Sequence, residues 1–354
     1  MKEPAEFLPI EFVFMPSWWH HNYGLDFGPA FYLDRETRIT NEQTMNRALW
    51  ERFPGMGLGH ASLGRQPIIG SKHVAGGFVM PALMGCQIRF APDASPWPEP
   101  ANLTDDQVRG LQVPDIPNTW PMNELLADMA ALERESGAVA GDFDLDGVLN
   151  LALHLRGQQF FSDLAESPDL AARLLDVCAR AMVQVAQCVR PRTGSVAIAT
   201  NRMITHVDAS LFLHSNCSVQ MVSPTTYAEF LLQPELYLAR HLQPYGIHHC
   251  GEHMERYGAV YAQVPAVFFD VGWGSDLAVC REQLPQAFLS LRLSPARLKR
   301  QTPAEAAADA EHLLSTCPHL ERAGLCCINV DDGTPDDNLW AVYEVVERYR
   351  RYGA

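Results

Sequence analysis

The segment His248-His249-Cys250-Gly251 combines two residue types that bind transition metals. If it lies on a β-strand, side chains alternate between the two faces, so His248 and Cys250 point the same way. Imidazole and thiolate are preferred ligands of Zn²⁺, which is catalytic when one of its four coordination positions stays open. We therefore predict a metal site that includes His248 and Cys250. The alternative is that both side chains are buried and hydrogen-bonded without a metal.

A second polar segment, His214-Ser215-Asn216-Cys217, lies between a predicted strand at 195–199 and a helix predicted to begin at Ser223. Loops that follow strands of an α/β barrel often carry function. We expect this segment to supply a further metal ligand or to contact substrate, with His214 as a catalytic group and Asn216 as a substrate-binding group. The alternative is an ordinary polar loop.

Three carboxylates, Asp142, Asp144 and Asp146, follow a short predicted strand at 137–140. One of them, with Asp142 as the catalytic candidate, could act as a general base or as an oxygen ligand for the metal. Asp146 could instead only cap the helix that is predicted to begin at Gly147.

Aromatic residues are concentrated near the N-terminus, at Trp18, Trp19, His20, His21 and Tyr23. We predict that they bind substrate as an aromatic wall over the mouth of the fold. Such a wall could hold a quaternary ammonium or an aromatic methyl ether by cation–π or stacking contacts. The alternative is that the tryptophans are ordinary core residues.

The elements that must position these residues form a regular pattern after residue 137, where short apolar segments alternate with helical ones. Strands are predicted at residues 11–16, 137–140, 195–199, 246–250, 266–270, 287–293 and 324–330. Helices are predicted at residues 122–136, 147–155, 163–189, 223–242 and 302–315, with a last one after a cap at 334–337.

This alternation indicates parallel βαβ units, and their number favours a closed barrel over an open sheet. No glycine-rich nucleotide-binding motif is present, so a nucleotide fold has little support. We expect an α/β fold, a single (β/α)8 TIM-type barrel over residues 1–354. Its irregular N-terminal part, at residues 1–120, is expected to cover the barrel mouth.

The charge of the chain restricts its partners. The net charge of −15 argues against nucleic acid and against anionic membranes, both of which attract Lys/Arg clusters. We see no secretory signal and no apolar run long enough to cross a bilayer. Nine cysteines at scattered positions are then expected to be reduced thiols of a cytoplasmic enzyme, with a small molecule as its substrate.

Four stretches, in their shared order, resemble the uroporphyrinogen decarboxylase-like superfamily, which includes zinc-dependent methyltransferases of corrinoid systems. They are Met80–Phe90, Gly147–Ala152 with Gly157, Val222–Phe230, and the series from His248 through Asp276 and Thr302–Glu305 to Pro335. The likeness covers about residues 80–350. It departs from the family at Val148, where a proline is usual, and at Tyr227, where a phenylalanine is usual.

The resemblance implies further site residues. Its zinc methyltransferases use His-x-Cys on one strand and a later cysteine on the last strand, which here implies Cys327, with Cys326 left open. Family members keep an aspartate near Asp270, so we expect Asp270 to be a catalytic group facing the pocket. The alternative is that Asp270 only orients a histidine ligand.

One motif of the true decarboxylases is missing. They carry Arg-Gln-Ala-Gly-Arg-Tyr near the N-terminus, whose arginines hold the carboxylates of the tetrapyrrole. Here the region reads Trp18-Trp19-His20-His21-Asn22-Tyr23, and no arginine precedes Arg35. Since a substrate with many carboxylates needs fixed guanidinium groups, decarboxylation of uroporphyrinogen is disfavoured.

The function expected is that of a zinc-dependent methyltransferase acting on a small methylated or thiol substrate. No Asp-x-His-x-x-Gly cobalamin motif occurs, so any corrinoid would come from a separate protein. One alternative is a metal-free decarboxylase or lyase of a small carboxylic acid, whose pocket would be lined by arginines such as Arg35, Arg65, Arg202 and Arg292. Another is a non-catalytic barrel subunit, in which the polar residues would not converge.

Overall fold

The computed structural model describes residues 7–61, 64–74, 76–194 and 202–352. Its strands are β1 (Ile10–Phe14), β2 (Gln87–Ala91), β3 (Ala94–Glu99), β4 (Phe212–Asn216), β5 (Tyr245–His249), β6 (Phe268–Val271), β7 (Phe288–Arg292) and β8 (Ala323–Val330). Six of them form one curled parallel sheet in the order β1-β8-β7-β6-β5-β4, and β2 and β3 form a separate antiparallel hairpin.

The helices account for most of the remaining chain. They are α1 (Pro16–Tyr23), α2 (Pro29–Leu33), α3 (Arg35–Arg52), α4 (Val79–Leu83), α5 (Asp105–Gly110), α6 (Met122–Ser136), α7 (Val148–Arg156), α8 (Gln159–Glu166), α9 (Pro168–Thr193), α10 (Pro224–Thr226), α11 (Leu232–His241), α12 (Gly258–Tyr261), α13 (Leu277–Gln283), α14 (Pro295–Leu298), α15 (Pro303–Thr316) and α16 (Asp336–Tyr352). A π-helical turn, Tyr227–Leu231, joins α10 to α11. No helix of the described ranges is long and apolar enough to cross a lipid bilayer.

Alternation along the strands gives the large sheet two different faces. On β7, Leu289 and Leu291 belong to the main core beneath the helices, whereas Ser290 and Arg292 point to the opposite, concave face. We call this concave face the inner face. Toward the amino ends of the strands it is apolar, with Leu213 and Phe268 in a small second cluster. Its polar residues therefore lie nearer the carboxyl ends, where barrel enzymes carry their sites.

Several predicted elements are confirmed. Thr302 and Glu305 form both hydrogen bonds of a capping box at the start of α15. Ser223 caps α10, with its side chain accepting from the N–H of Thr226. The strands predicted at 11–16, 246–250, 266–270, 287–293 and 324–330 correspond to β1 and β5–β8.

Other expectations need correction. The helix predicted at 163–189 is two helices, α8 and α9, since the chain leaves helical geometry at Ser167 and restarts with Pro168. The strand predicted at 137–140 makes one isolated parallel bridge, Ile68 to Ala140. The strand predicted at 195–199 lies outside the described residues. The segment expected to be a polar loop before Ser223 is largely a strand, β4.

Residues 1–120 are not irregular where they are described, because α1–α5 and the β2–β3 hairpin lie there. The helix α3 explains why the pattern is weak: it buries Arg38, Glu42 and Asn46 alongside its apolar residues. A helix that buries polar groups lacks the apolar stripe from which helices are recognised in sequence. Its start is conventional, with Asp34 accepting a hydrogen bond of 2.8 Å from the N–H of Thr37.

A close backbone approach joins α7 to the sheet. A Cβ added to Gly147 would lie 1.6 Å from the carbonyl oxygen of Ser215, so only glycine fits between α7 and β4. The next residue, Val148, donates its N–H to Nε2 of His214 at 3.0 Å. These contacts hold the 142–148 segment beside the carboxyl end of β4.

Candidate metal site

Three side chains at the carboxyl ends of β4 and β5 converge on the inner face. One ligand atom from each of Cys217, His248 and Cys250 lies within 4.8 Å of the others. The strand register explains this, because Ser215 pairs with His248, and Cys217 and Cys250 each follow two residues later on the same face. Among the His, Cys, Asp and Glu side chains of the described residues, these three form a group that could hold a metal ion.

His248 is oriented by the neighbouring strand. Its register partner on β6 is Asp270, whose Oδ2 lies 2.6 Å from Nδ1 of His248. Burial and the nearby Arg292 would lower the pKa of His248, but its hydrogen bonds to Asp270 and Cys250 outweigh them and raise that pKa to about 9. Because Asp270 holds Nδ1, Nε2 is the ring nitrogen directed at the two sulfurs. Asp270 therefore lies on the inner face and orients the histidine, and its expected role as a catalytic group stays a prediction.

Arg292 lies beside the same group. Its Nη1 is 3.4 Å from Sγ of Cys250 and 3.4 Å from Nε2 of His248. A hydrogen bond with Cys217 is the largest cause that lowers the pKa of Cys250, and His248 and Arg292 lower it further against the effect of burial. The same contact raises the pKa of Cys217, because that thiol holds the proton between the two sulfurs. The contacts from Cys217, His248 and Arg292 therefore all favour the thiolate form of Cys250.

The three aspartates after residue 141 have separate surroundings. Burial, reinforced by Asp146, raises the pKa of Asp144 to about 6, and His248 partly opposes this shift. Asp146 does not cap α7, whose N-cap is Gly147 without a side-chain bond. It instead accepts from Asn150 at 2.5 Å and contacts His154 at 3.1 Å.

Comparison with known proteins identifies the family. The sequence profile described as "Uroporphyrinogen decarboxylase (URO-D)" matches residues 75–349, well over half of the chain. The chain belongs to the URO-D family. No curated protein sequence matches it.

Two solved structures were compared with this URO-D chain. A "methyltransferase from Methanosarcina mazei" matches with a TM-score of 0.65 and 16% identity, over 98% of this chain and 95% of that one. A "B12-independent methionine synthase from Shewanella sp. W3-18-1" matches with a TM-score of 0.49 and 11% identity, over 97% of this chain and 98% of that one. The first likeness is one of fold.

The cysteines expected from the last strand of the URO-D fold lie elsewhere. Cys327 points outward into the main core, where burial raises its pKa to about 12. Cys326 does face inward, but its Sγ lies 3.2 Å from Oγ of Ser290 and belongs to the inner apolar cluster. Because β8 is separated from β5 by β7 and β6, neither sulfur joins the group around His248.

His214 and Asn216 face away from the site. Both lie on the outer side of β4, where Nδ1 of His214 is 3.1 Å from Glu235 and Asn216 donates to Glu235 at 3.0 Å. Burial alone would raise the pKa of Glu235, but His214 and hydrogen bonds from Tyr227 and Tyr245 lower it. The structure thus places both residues in a buried polar network behind β4, away from the inner face, because alternation sends Ser215 and Cys217 inward.

Asp142 lies apart from the cysteines. It forms a buried ion pair with Arg202, and its Oδ1 makes no hydrogen bond to any residue of the described ranges. Of the four arginines named for a lyase pocket, Arg202 and Arg292 are in the interior. The other two, Arg35 and Arg65, form surface ion pairs with glutamates.

The aromatic residues of α1 pack as core rather than as a wall over the inner face. The ring of Trp18 lies 4.2 Å from that of Phe14, and Trp19 lies 4.9 Å from Trp18, centroid to centroid. Tyr23 is 5.6 Å from each tryptophan, and Arg52 lies over Trp18 at 4.8 Å. Both tryptophans are fully buried, so their position matches the alternative of ordinary core residues.

The two histidines of α1 are tied to other segments. Nδ1 of His20 is 2.8 Å from the carbonyl oxygen of Leu25. His21 is exposed and lies 3.5 Å from Asp332. Neither histidine is in the group with Cys217 and Cys250.

The sequence did not predict the positions that Cys217 and Arg292 have in this site. Cys217 was included only as part of a polar segment, and Arg292 only as a possible carboxylate ligand. Alternation from a strand at 212–216 would have placed Cys217 on the face of Ser215, and alternation along 287–293 would have placed Arg292 inward.

Proposed function

We propose that this chain is a metal-dependent methyltransferase that acts on a small methylated or thiol substrate, together with a corrinoid carried by a separate protein. The observation that carries the proposal is the convergence of Cys217, His248 and Cys250 at the carboxyl end of the sheet. Membership of the URO-D family and a fold similar to that of a methyltransferase support it.

The residues present fit a zinc ion. Tetrahedral zinc with bonds of about 2.3 Å to sulfur and about 2.0 Å to nitrogen needs ligand atoms roughly 3.5–3.8 Å apart. The three atoms meet within 4.8 Å, so closing on an ion needs only small side-chain movements. Two thiolates and one imidazole are also the donor types that zinc prefers, and three protein ligands leave a fourth position for substrate.

When bound, the metal would lower the pKa of a substrate thiol or polarise the heteroatom that carries the methyl group. Asp270 keeps His248 in the tautomer that presents Nε2, as carboxylates do for many histidine ligands. Arg292 donates to Cys250, which moderates the negative charge that the thiolates bring to the site. Cys217 is exposed, so the site opens to solvent on the side of β4.

We also propose that the curled sheet closes into an eight-stranded (β/α)8 barrel. Its edges are β1 and β4, and the missing strands would come from the chain between them, where the parallel bridge of Ile68 to Ala140 already lies. Cytoplasmic location is part of the same proposal, since all nine cysteines are free and reduced thiols are needed as ligands.

The experiment is metal analysis of purified protein, paired with the variants His248→Ala and Cys250→Ser. Wild-type protein should hold about one zinc per chain, and each variant should lose it while keeping its circular dichroism spectrum. Zinc-loaded wild type should methylate free cob(I)alamin from at least one compound in a panel of methoxy, methylthio and methylamino donors. Protein purified without stoichiometric metal, or metal retained in both variants, would refute the proposed site.

A second candidate function is a metal-free lyase acting on a small carboxylic acid. The interior positions of Arg202 and Arg292 favour it, because guanidinium groups bind carboxylates. Decarboxylation by protein treated with chelator would support this function over methyl transfer. The third reading, a non-catalytic subunit, expects polar residues that do not converge, and the group around His248 is contrary to that.

A further inference from the structure

A second feature of the interior is a cavity of about 200 Å³ at the β1 edge of the sheet. It lies between β1, the loops near residues 57–59 and 72–73, and the helical turn Arg202–His206. Its polar wall is formed by Glu11, Trp19, Lys72, His73, Arg202 and His206. The volume equals that of roughly seven water molecules, enough for a small organic acid.

Lys72 is the most informative residue of this wall. It is one of three lysines in a chain with a net charge of −15, and it is half-buried. Among the residues that the structure describes, no carboxylate lies within ion-pair distance of its Nζ. An ammonium on the wall of this cavity, with no carboxylate beside it, is free to pair with an anionic group of a ligand.

The other polar groups of the wall are mostly donors. Trp19 is fully buried, and its indole N–H has no acceptor within the described ranges. Glu11 accepts from the N–H of Arg202 at 2.8 Å, while its second oxygen is buried without a partner in the same part of the chain. Burial raises the pKa of Glu11 to about 8, so near neutrality its carboxyl is protonated and can donate.

Two further carboxylates lie behind the wall and are already engaged. Asp142 pairs with Arg202, and Glu42 contacts His73 at 3.5 Å and Ser71 at 3.2 Å. Neither carboxylate lines the cavity; Asp142 holds the guanidinium of Arg202, and burial lowers the pKa of His73 beside Glu42. A ligand entering the cavity therefore meets an ammonium, a guanidinium, an indole N–H and a carboxylic acid, which together suit an acceptor-rich anion.

One wall residue of the cavity, Glu11, lies on the inner face, the face that also carries the metal group. Glu11 on β1 pairs with Cys326 on β8, and Cys326 pairs with Arg292 on β7. Two strand spacings amount to about 10 Å. Arg292 in turn reaches Cys250, with 3.4 Å between Nη1 and Sγ. A ligand whose carboxylate lies in the cavity can therefore extend along this face toward the metal group.

We propose that this cavity binds the carboxylate of a small organic acid and that Lys72 is its main anchor. The further step, that this acid is the methyl-transfer substrate, rests on the function proposed above. The substrate class is then a small monocarboxylate whose methylated or thiol group lies toward Cys217, His248 and Cys250.

The test is isothermal titration calorimetry at constant ionic strength with propionate, and with propionamide as its uncharged match. Wild type should bind propionate with a Kd on the order of 1 mM and should not bind the amide. Lys72→Gln should weaken binding by about ten-fold or more, because a charge-assisted contact is lost. Lys72→Arg should restore most of the affinity, and Lys299→Gln, at a surface pair with Asp331, should behave as wild type.

A parallel titration of metal-depleted Cys250→Ser protein separates the two proposals. Propionate binding that survives there supports the cavity, and binding that disappears there shows that the carboxylate was binding the metal, which overturns this inference alone. Equal affinity in Lys72→Gln and wild type, or no heat with any propionate concentration, also overturns it. Wild type that holds no zinc yet binds propionate through Lys72 overturns the methyltransferase and leaves the cavity standing.

Discussion

Replacing Cys217 by serine tests the proposed ligand set most directly. The change replaces one sulfur by oxygen at an exposed position, where Sγ of Cys217 contacts Oγ of Ser215 at 3.1 Å. Because little packing is lost, the free energy of unfolding of the metal-free protein should change by no more than about 0.5 kcal/mol. A loss of metal can then be attributed to coordination.

The size of that loss follows from the number of ligands. Four-ligand zinc sites bind with roughly 10–16 kcal/mol, or about 2.5–4 kcal/mol for each ligand. Removing one of the three converging ligands should therefore weaken zinc binding by about two to three orders of magnitude. Chelator competition measures this directly, and cobalt substitution adds a check, since sulfur-to-cobalt absorption should fall when one of two thiolates is lost.

The matched control is Cys326→Ser, which alters the inward sulfur of β8. Its Sγ contacts Ser290 rather than the group around His248, so zinc affinity should stay at the wild-type value. The reasoning is refuted if Cys217→Ser keeps wild-type affinity while Cys326→Ser loses metal. That result would mean that the last strand supplies the third ligand.

Three further substitutions have expected outcomes. Burial raises the pKa of Glu11 from 4.5 to about 8, so the folded state binds a proton that the unfolded state releases between these values. The free energy of unfolding should fall as pH rises through that window, by up to about 5 kcal/mol. In urea titrations of metal-free protein, Glu11→Gln should reduce this dependence of unfolding free energy on pH. An unchanged dependence would show that Glu11 is not the group whose pKa is raised. Glu235→Gln replaces a carboxylate that accepts hydrogen bonds from Asn216, Tyr227 and Tyr245, and should lower the free energy of unfolding by about 1–3 kcal/mol; the zinc stoichiometry should not change. Asp270→Asn should reduce zinc affinity by about 10- to 100-fold, because His248 loses its orienting carboxylate; affinity equal to wild type would show that Asp270 has no such role.

Local signals in the sequence were sufficient for much of the fold. Apolar segments at 246–250, 287–293 and 324–330 are strands, and the capping box at Thr302 begins a helix as predicted. These features depend on neighbouring residues, through side-chain alternation, caps and proline, so they are readable without tertiary contacts. The same alternation put His248 and Cys250 on one face.

Strands and helices that bury polar side chains could not be predicted from the sequence. The β4 strand carries His214, Ser215 and Asn216, and it resembles a loop because all three are polar. His214 and Asn216 are buried beside Glu235, whereas Ser215 is buried on the inner face, where its Oγ contacts Cys217. No local pattern reports partners that lie about 20 residues away in the chain.

The sequence by itself determined the parallel α/β architecture and the pairing of an imidazole with a sulfur on one strand. Only the tertiary structure decided which third sulfur joins them. Strand order places β4 beside β5 and keeps β8 three positions away, so Cys217 reaches His248 and Cys326 does not. Residue spacing along the chain does not predict which cysteine is the third sulfur. Neighbouring strands in the sheet are set by how the helices pack against the strands and by the register that this packing enforces.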